Sequence, residues 1–281
     1  MDGRICLVTG ATSGIGEATA TALARLGAHV IVVGRSAERG EAAALRISRA
    51  TDSASIDLRL ADLSSQSEIR RLAREVLDAY PALHVLVNNA GVTNLRREET
   101  VDGIESTFAT NHLAYFLLTD LLCDRLIESA PARVVNVASH AHTFGRLEPD
   151  DWQSEQEYSA MKVYGGSKLA NVLFTYDLAR RLETKGVTVN CLHPGAVATR
   201  MGRNNGWLGV LASLLMKPFF ASPAKGARTS VYLAASKEAE GVTGRYFVNC
   251  KPKETSERSR DAVLSKQLWD ESRRLTARGG A

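Results

Sequence analysis

Ile5-Cys6-Leu7-Val8-Thr9-Gly10-Ala11-Thr12-Ser13-Gly14-Ile15-Gly16, followed by Glu17-Ala18-Thr19-Ala20, is the stretch that decides the fold. A short apolar run bounded by a turn reads as a strand buried on both faces, the habit of parallel sheets. The glycine-rich segment then carries the chain straight into a helix. Because no side chain blocks the approach there, backbone N–H groups and the positive end of the helix dipole can meet a pyrophosphate. Strand, turn and helix arrive in the order a dinucleotide site demands, with Gly10, Thr12, Ser13, Gly14, Ile15 and Gly16 as its binding residues.

Outward from this unit, short Val- and Ile-rich runs alternate with longer stretches of helical periodicity, the pattern of β-α units around a parallel sheet. Strands are expected near 4–9, 29–33, 56–60, 83–87, 133–138, 187–192 and 245–248, and helices near 14–26, 38–49, 66–79, 103–128, 161–184 and 224–235. The expected fold is a doubly wound Rossmann α/β domain, a seven-stranded parallel sheet with helices on both faces, spanning 1–281 as one unit. Two segments break the rhythm. Residues 203–223 form an apolar insertion rich in Leu, Trp and Phe, and the tail 251–281 starts polar before turning helical around Leu264, Leu268, Trp269 and Leu275, through which it is expected to pack back.

Composition excludes several classes. With 281 residues and 44% hydrophobic content, the chain has ample material for a core. Its formal net charge is only +4, and most of that excess lies beyond Lys251, so the nearly neutral body argues against a nucleic-acid partner. Cys6, Cys123, Cys191 and Cys250 are scattered without C-x-x-C spacing, which reads as free thiols in a reducing compartment. No H-E-x-x-H or similar cluster suggests a metal. The run ahead of the first strand is too short for a signal peptide or membrane span, so a cytoplasmic protein is expected, with peripheral membrane contact left open.

The second strand ends at Val33-Gly34-Arg35, where an acid would hold the free ribose 2′-hydroxyl of NAD. Arg35 instead presents a fork of donors suited to a 2′-phosphate, with Arg39 as a second cation, so NADP(H) is expected over NAD(H). The competing reading is an ordinary solvated arginine.

Tyr164-Gly-Gly-Ser-Lys168 places a phenol and an ammonium one helical turn apart on a single face. A nearby cation favours the phenolate and lowers a tyrosine's pKa, which suits proton exchange with a carbonyl oxygen during hydride transfer. Tyr158 and Lys162 repeat the spacing. Leu169, Val172, Leu173 and Tyr176 continue a helical pattern only behind the later pair, so Tyr164 is preferred, and Tyr158 is expected in a loop. Ser139 closes the strand run Val134-Val135-Asn136-Val137-Ala138, which puts its hydroxyl at the C-terminal sheet edge. His140 and His142 follow it, but a hydrolase is disfavoured: neighbours on a strand face opposite ways and no G-x-S-x-G elbow is present. Both histidines are expected at the rim of a substrate mouth.

Taken with Asp62-Leu63, Asn88-Asn89-Ala90-Gly91, Asn111 and Pro194-Gly195 followed by Thr199, these motifs make the chain resemble the short-chain dehydrogenase/reductase family over nearly its whole length. Ser167-Lys168-Leu169-Ala170-Asn171, His193-Pro194-Gly195 and Cys250-Lys251-Pro252-Lys253-Glu254 are similar to its retinol dehydrogenase-like branch. The resemblance implies that Asp62 and Leu63 hold the adenine and that Asn89, Ala90 and Gly91 line the adenosine. It implies that Pro194, Gly195 and Thr199 reach the nicotinamide end, with Thr199 on the carboxamide. It further implies a catalytic set in which Ser139 positions the substrate oxygen, Tyr164 exchanges the proton, Lys168 tunes Tyr164 and holds the ribose, and Asn111 supports a proton relay. The implied substrate is a small lipophilic carbonyl or alcohol, with retinoids, steroids and aliphatic aldehydes all fitting an apolar lid at 203–223. The alternative readings of that segment are a dimer contact or a membrane-surface helix. A homo-oligomer is implied through the helices near 103–128 and 161–184. The rival reading is a non-catalytic NADP-binding redox sensor.

Overall fold

In the computed structural model, which describes residues 1–51, 55–195 and 222–277, the sheet contains β1 (Ile5–Thr9), β2 (His29–Gly34), β3 (Ile56–Leu60) and β4 (Val85–Asn88). β5 (Ala132–Val137), β6 (Val187–His193), β7 (Arg245–Val248) and β8 (Lys251–Pro252) follow. Their spatial order is β3-β2-β1-β4-β5-β6-β7-β8. The order reverses direction between β1 and β4, which opens a crevice at the strands' C-terminal ends. Alternate side chains serve two separate cores. Leu7, Ile31, Leu86, Val134 and Val189 belong to one, and Cys6, Val8, Val30, Val32 and Val87 to the other. Cys6, Leu7 and Val8 are each fully buried, as expected of a strand covered on both faces.

The helices are α1 (Gly14–Arg25), α2 (Ala37–Thr51), α3 (Gln66–Ala79), α4 (Ser106–Phe108) and α5 (Ala114–Glu128), then α6 (Ala160–Arg181), α7 (Pro223–Ala235) and α8 (Ala262–Ala277). All seven expected strands form and run parallel, and β8 adds an eighth. β8 pairs antiparallel with β7 after Asn249 and Cys250 take φ of 50° and 62°. Two consecutive left-handed residues are the geometry of a tight hairpin turn, but cysteine is not a turn residue, so its spelling hides the turn.

The helix expected from 103 starts later, because Gly103 holds φ +69° and Glu99 bridges to Glu105. Buried Glu105 then caps α4 by accepting from the N–H groups of Thr107 and Phe108 at 2.8 and 2.6 Å. Between α4 and α5 the chain widens into a π-helical turn, Ala109–Leu113. Such turns inside α-helices are rare and often mark functional sites. This one contains Asn111.

The tail packs back as its pattern indicates, with Leu264, Leu268 and Leu275 buried on α8. Burial of each leucine contributes about 1.5–3 kcal/mol. Trp269 meets Phe116 edge-on at 5.0 Å and Phe174 at 6.0 Å, and Arg181 lies 3.7 Å over its ring. α8 thus covers part of α5 and α6 within the chain. Of the apolar segment 203–223, only Ser222 and Pro223 fall within the described residues; they start α7, where Ser222 accepts a cap bond from Lys225 N–H at 3.3 Å. No helix among the described residues is long and apolar enough to cross a membrane.

Candidate active site

At the end of β1 the chain closes on itself so tightly that a Cβ added to Gly16 would lie 2.3 Å from the Gly10 carbonyl oxygen. Gly16 therefore lets α1 start directly against the turn, and no larger residue fits without shifting backbone. Ser13 stands at the N-cap of α1 with no side-chain cap bond. The first-turn N–H groups have no intrahelical partner either, so the turn offers donors to an anion. Thr9 ties the crevice walls together: its Oγ1 accepts from Asn89 N–H at 2.9 Å and Ala90 N–H at 3.1 Å, while Asn89 Nδ2 donates to Thr9 O at 2.8 Å.

A cleft of about 600 Å³ opens over this junction. Gly10, Thr12, Ser13, Gly14, Ile15 and Gly16 form its floor, with Leu63, Asn89, Ala90 and Gly91 beyond them. Arg35 and Arg39 stand at one end, and Tyr164, Lys168 and Pro194 at the other. Arg35 and Arg39 have no ion pair among the described residues. This shape and donor set fit a dinucleotide: a bare-backbone floor for phosphates, cations at one end and a Tyr/Lys pair at the far end. Asp62 does not border the cleft. Its Oδ1 accepts from Ser64 N–H at 2.9 Å and Ser64 Oγ–H at 2.7 Å, a local turn that leaves Ser64 on the lining instead. Gly195 follows Pro194 with φ +85°, and Thr199 lies outside the described residues.

Lys168 is almost wholly buried, at 2% exposure. Its Nζ donates to Val137 O at 3.1 Å and sits 5.8 Å from the Tyr164 ring centre and 5.7 Å from that of Tyr115. The expected stacking of phenol and ammonium on one helix face is thus present. Their electrostatics differ from the expectation. Burial pushes the Lys168 ammonium down to about 7 and pushes the Tyr164 phenol up, with only a hydrogen bond from Ser139 pulling Tyr164 the other way. A lysine brought to about 7 by burial is only partly charged near neutral pH and supplies a weaker field to lower its neighbour. Ser139 also caps a short 3₁₀ turn, accepting from Ala141 N–H at 3.2 Å. That turn is pressed on α6 at Gly145, where an added Cβ would stand 2.1 Å from Gly165 O. The two glycines let the Ser139 loop approach the helix beside Tyr164.

Asn111 is fully buried in its π-turn. Its Oδ1 accepts from Val92 N–H at 2.7 Å, and its Nδ2 donates to Val92 O at 3.0 Å and to Ser167 Oγ at 3.0 Å. It therefore joins the β4 exit to the residue beside Lys168. Sequence reading missed Tyr115, whose hydroxyl donates to Ala90 O at 2.8 Å beneath Lys168. Its signal was present, since Asn111 and Tyr115 share the four-residue spacing of Tyr164 and Lys168.

The decoy pair is dispersed. Tyr158 precedes α6 and donates to Asn94 O at 2.8 Å, while Lys162 pairs with Glu157 in solvent at 3.2 Å. Only His140 is at an exposed rim. His142 corrects the expectation for both: it is 2% exposed, its Nδ1 hydrogen-bonds Ser139 O at 2.7 Å, and its ring packs on Tyr246 at 4.8 Å. The 3₁₀ turn folds this residue inward, which strand alternation does not describe. Among the described residues no group of side chains is arranged to hold a metal.

Fold and cleft together define a dinucleotide-binding protein of the doubly wound class. The short-chain dehydrogenase family model matches residues 4–206. Human retinol dehydrogenase 14 is 44% identical, the match covering 96% of this chain and 85% of that protein, and mouse retinol dehydrogenase 12 is 43% identical with the same coverage. Among solved structures, an uncharacterised protein of Mycobacterium paratuberculosis superposes with a TM-score of 0.78 at 34% identity, covering 98% of this chain and 94% of the other. The Pseudomonas aeruginosa RhlG/NADP active-site complex gives 0.70 at 31%, covering 88% and 94%. The chain belongs to the short-chain dehydrogenase family, in its retinol dehydrogenase-like branch, and is an oxidoreductase that uses a nicotinamide dinucleotide.

Proposed function

We propose that the chain is an NADP(H)-dependent oxidoreductase that interconverts a lipophilic alcohol and its aldehyde or ketone, with Tyr164 as general acid and base. The observation that carries this reading is the convergence of Ser139, Tyr164 and Lys168 at the end of the cleft opposite Arg35 and Arg39. When bound, the nicotinamide supplies or accepts the hydride. The protein's part is the proton and the geometry. Ser139 donates to the substrate oxygen and holds it beside the Tyr164 hydroxyl, which gives up its proton as the carbonyl becomes an alcohol and takes it back in the reverse direction. Lys168 holds the ribose and, once charged, favours the phenolate that remains. Asn111 supports the relay that returns a proton toward Lys168. Thr199 and Gly195 complete the nicotinamide end by family analogy. A lipophilic substrate is supported by the composition of 203–223, with Trp207, Leu211, Leu214, Phe219 and Phe220, and by the names of the relatives. The four free thiols support a reducing, cytoplasmic setting as part of the same proposal.

Purified protein given NADPH and a panel of retinaldehyde, steroid ketones and aliphatic aldehydes should consume NADPH with at least one of them. Tight NADPH binding without oxidation across the whole panel would favour the non-catalytic sensor instead.

The 2′-phosphate assignment has its own test. Charge-assisted hydrogen bonds contribute enough that Arg35→Ala should weaken NADPH binding about 10- to 100-fold, and NADH binding by no more than about twofold. Equal losses for both cofactors, measured by titrating protein fluorescence, would reject Arg35 as the phosphate ligand.

A further inference from the structure

The widened turn that holds Asn111 requires support, because a π-turn gives up regular helical hydrogen bonding. Asn111 itself braces one side, through Val92 and Ser167. The next residue, His112, points into the opposite wall and is fully buried. Phe108, Phe116 and Phe174 surround its ring at 5.2, 6.5 and 6.0 Å. Its Nε2 shares a hydrogen bond of 2.8 Å with Ser272 Oγ, and Ser272 is a fully buried residue of α8. Burial holds this imidazole neutral, with its pKa pushed down to about 3. Asn171, one turn beyond Lys168 on α6, lies beside the same ring.

α8 cannot slide freely past this contact. Gln66 Nε2 donates to Leu275 O at 3.1 Å, and Arg70 donates to Thr276 O at 2.5 Å, so α3 grips the helix one turn after Ser272. Trp269 fixes it one turn earlier, between Phe116 and Phe174. Ser272 is therefore a fixed point from which His112 is held, and His112 adjoins Asn111 in the same five-residue turn.

We infer that Ser272 is a positioning residue: through its hydrogen bond to His112, the C-terminal helix sets the π-turn that aims Asn111 at Val92 and Ser167. The role of Asn111 in turnover rests on the function proposed above; the clamp itself does not. Removing the hydroxyl leaves a buried imidazole nitrogen without its partner, a loss large enough to loosen the turn.

The test compares Ser272→Ala, Ser272→Thr and Arg70→Ala in the full chain. Arg70→Ala removes the grip of α3 on Thr276 O of the same helix and leaves the His112 bond in place, so it reports general weakening of α8 docking. Amide hydrogen exchange in the peptide covering 109–116 should accelerate about tenfold in Ser272→Ala, recover in Ser272→Thr and stay near wild type in Arg70→Ala. In NADPH-driven carbonyl reduction, Ser272→Ala should lower kcat about tenfold while KM for NADPH changes less than about twofold. Unchanged exchange in Ser272→Ala, or equal acceleration in Arg70→Ala, overturns the clamp. Faster exchange with an unchanged kcat overturns its link to Asn111. If the wild-type protein turns over no carbonyl, the exchange comparison still decides the clamp, and what has failed is the proposed reaction.

Discussion

Tyr164→Phe is expected to lower carbonyl reduction about 10³-fold, within the range typical for loss of a general acid. The substitution deletes one oxygen and leaves the ring, so the packing of α6 and the nearby Lys168 Nζ at 5.8 Å are preserved. NADPH binding should change less than about twofold, because the phosphate floor and Arg35 lie at other parts of the cleft. Tyr158→Phe is the matched control. It costs a single hydrogen bond to Asn94 O and should keep turnover within about twofold of wild type. Steady-state kinetics of both variants with one active aldehyde decide the assignment, and a fully active Tyr164→Phe would refute it.

Lys168→Met should abolish turnover, by about 10²-fold or more, and yet stabilise the cofactor-free protein. The reason is burial. Folding lowers the Lys168 pKa from its ordinary 10.5 to about 7 because the charged amine loses its water. Below about pH 7 the folded chain carries the charge, and the full desolvation cost weighs on stability. Between about 7 and 10.5 the unfolded chain holds a proton that the folded chain has released, so this group makes stability rise with pH. Above that window both states are neutral and the cost is gone. Methionine has no charge to bury at any pH. The gain in Tm from Lys168→Met should thus be larger at pH 6 than at pH 9.5, as thermal melts of the two proteins would show. An equal shift at both pH values would mean that Lys168 is not paying a charge-burial cost.

Much of the molecule is written in local pattern. The strands at β1, β2, β5 and β6 fall within a residue or two of their expected bounds, because each is a continuous apolar run between turn residues. Glycine spacing at Gly10, Gly14 and Gly16 indicated the nucleotide turn, and the four-residue spacing of Tyr164 and Lys168 indicated a shared helix face. What local pattern missed involves residues distant in the chain. The hairpin at Asn249-Cys250 is made by backbone angles that cysteine does not advertise. The π-turn at 109–113 has no composition of its own and is stabilised by Val92, Ser167 and Ser272. His142 lies inside and away from the rim because the 3₁₀ turn recruits it into a short-range bond, and Asp62 Oδ1 is taken up by Ser64.

By itself, then, the order of residues determined the doubly wound architecture, the glycine turn between β1 and α1 and the shared helix face of Tyr164 and Lys168, since each depends on spacing along one strand or one helix. Tertiary structure alone decided the protonation landscape and the covering of the α5 and α6 face. A pKa depends on what surrounds a group in three dimensions, and only the folded chain buries Lys168 deeply enough to bring it near 7. Likewise, which part of α5 and α6 the C-terminal segment covers depends on where α8 docks. Trp269, Arg181 and the Ser272–His112 bond fix that docking across more than eighty residues of sequence.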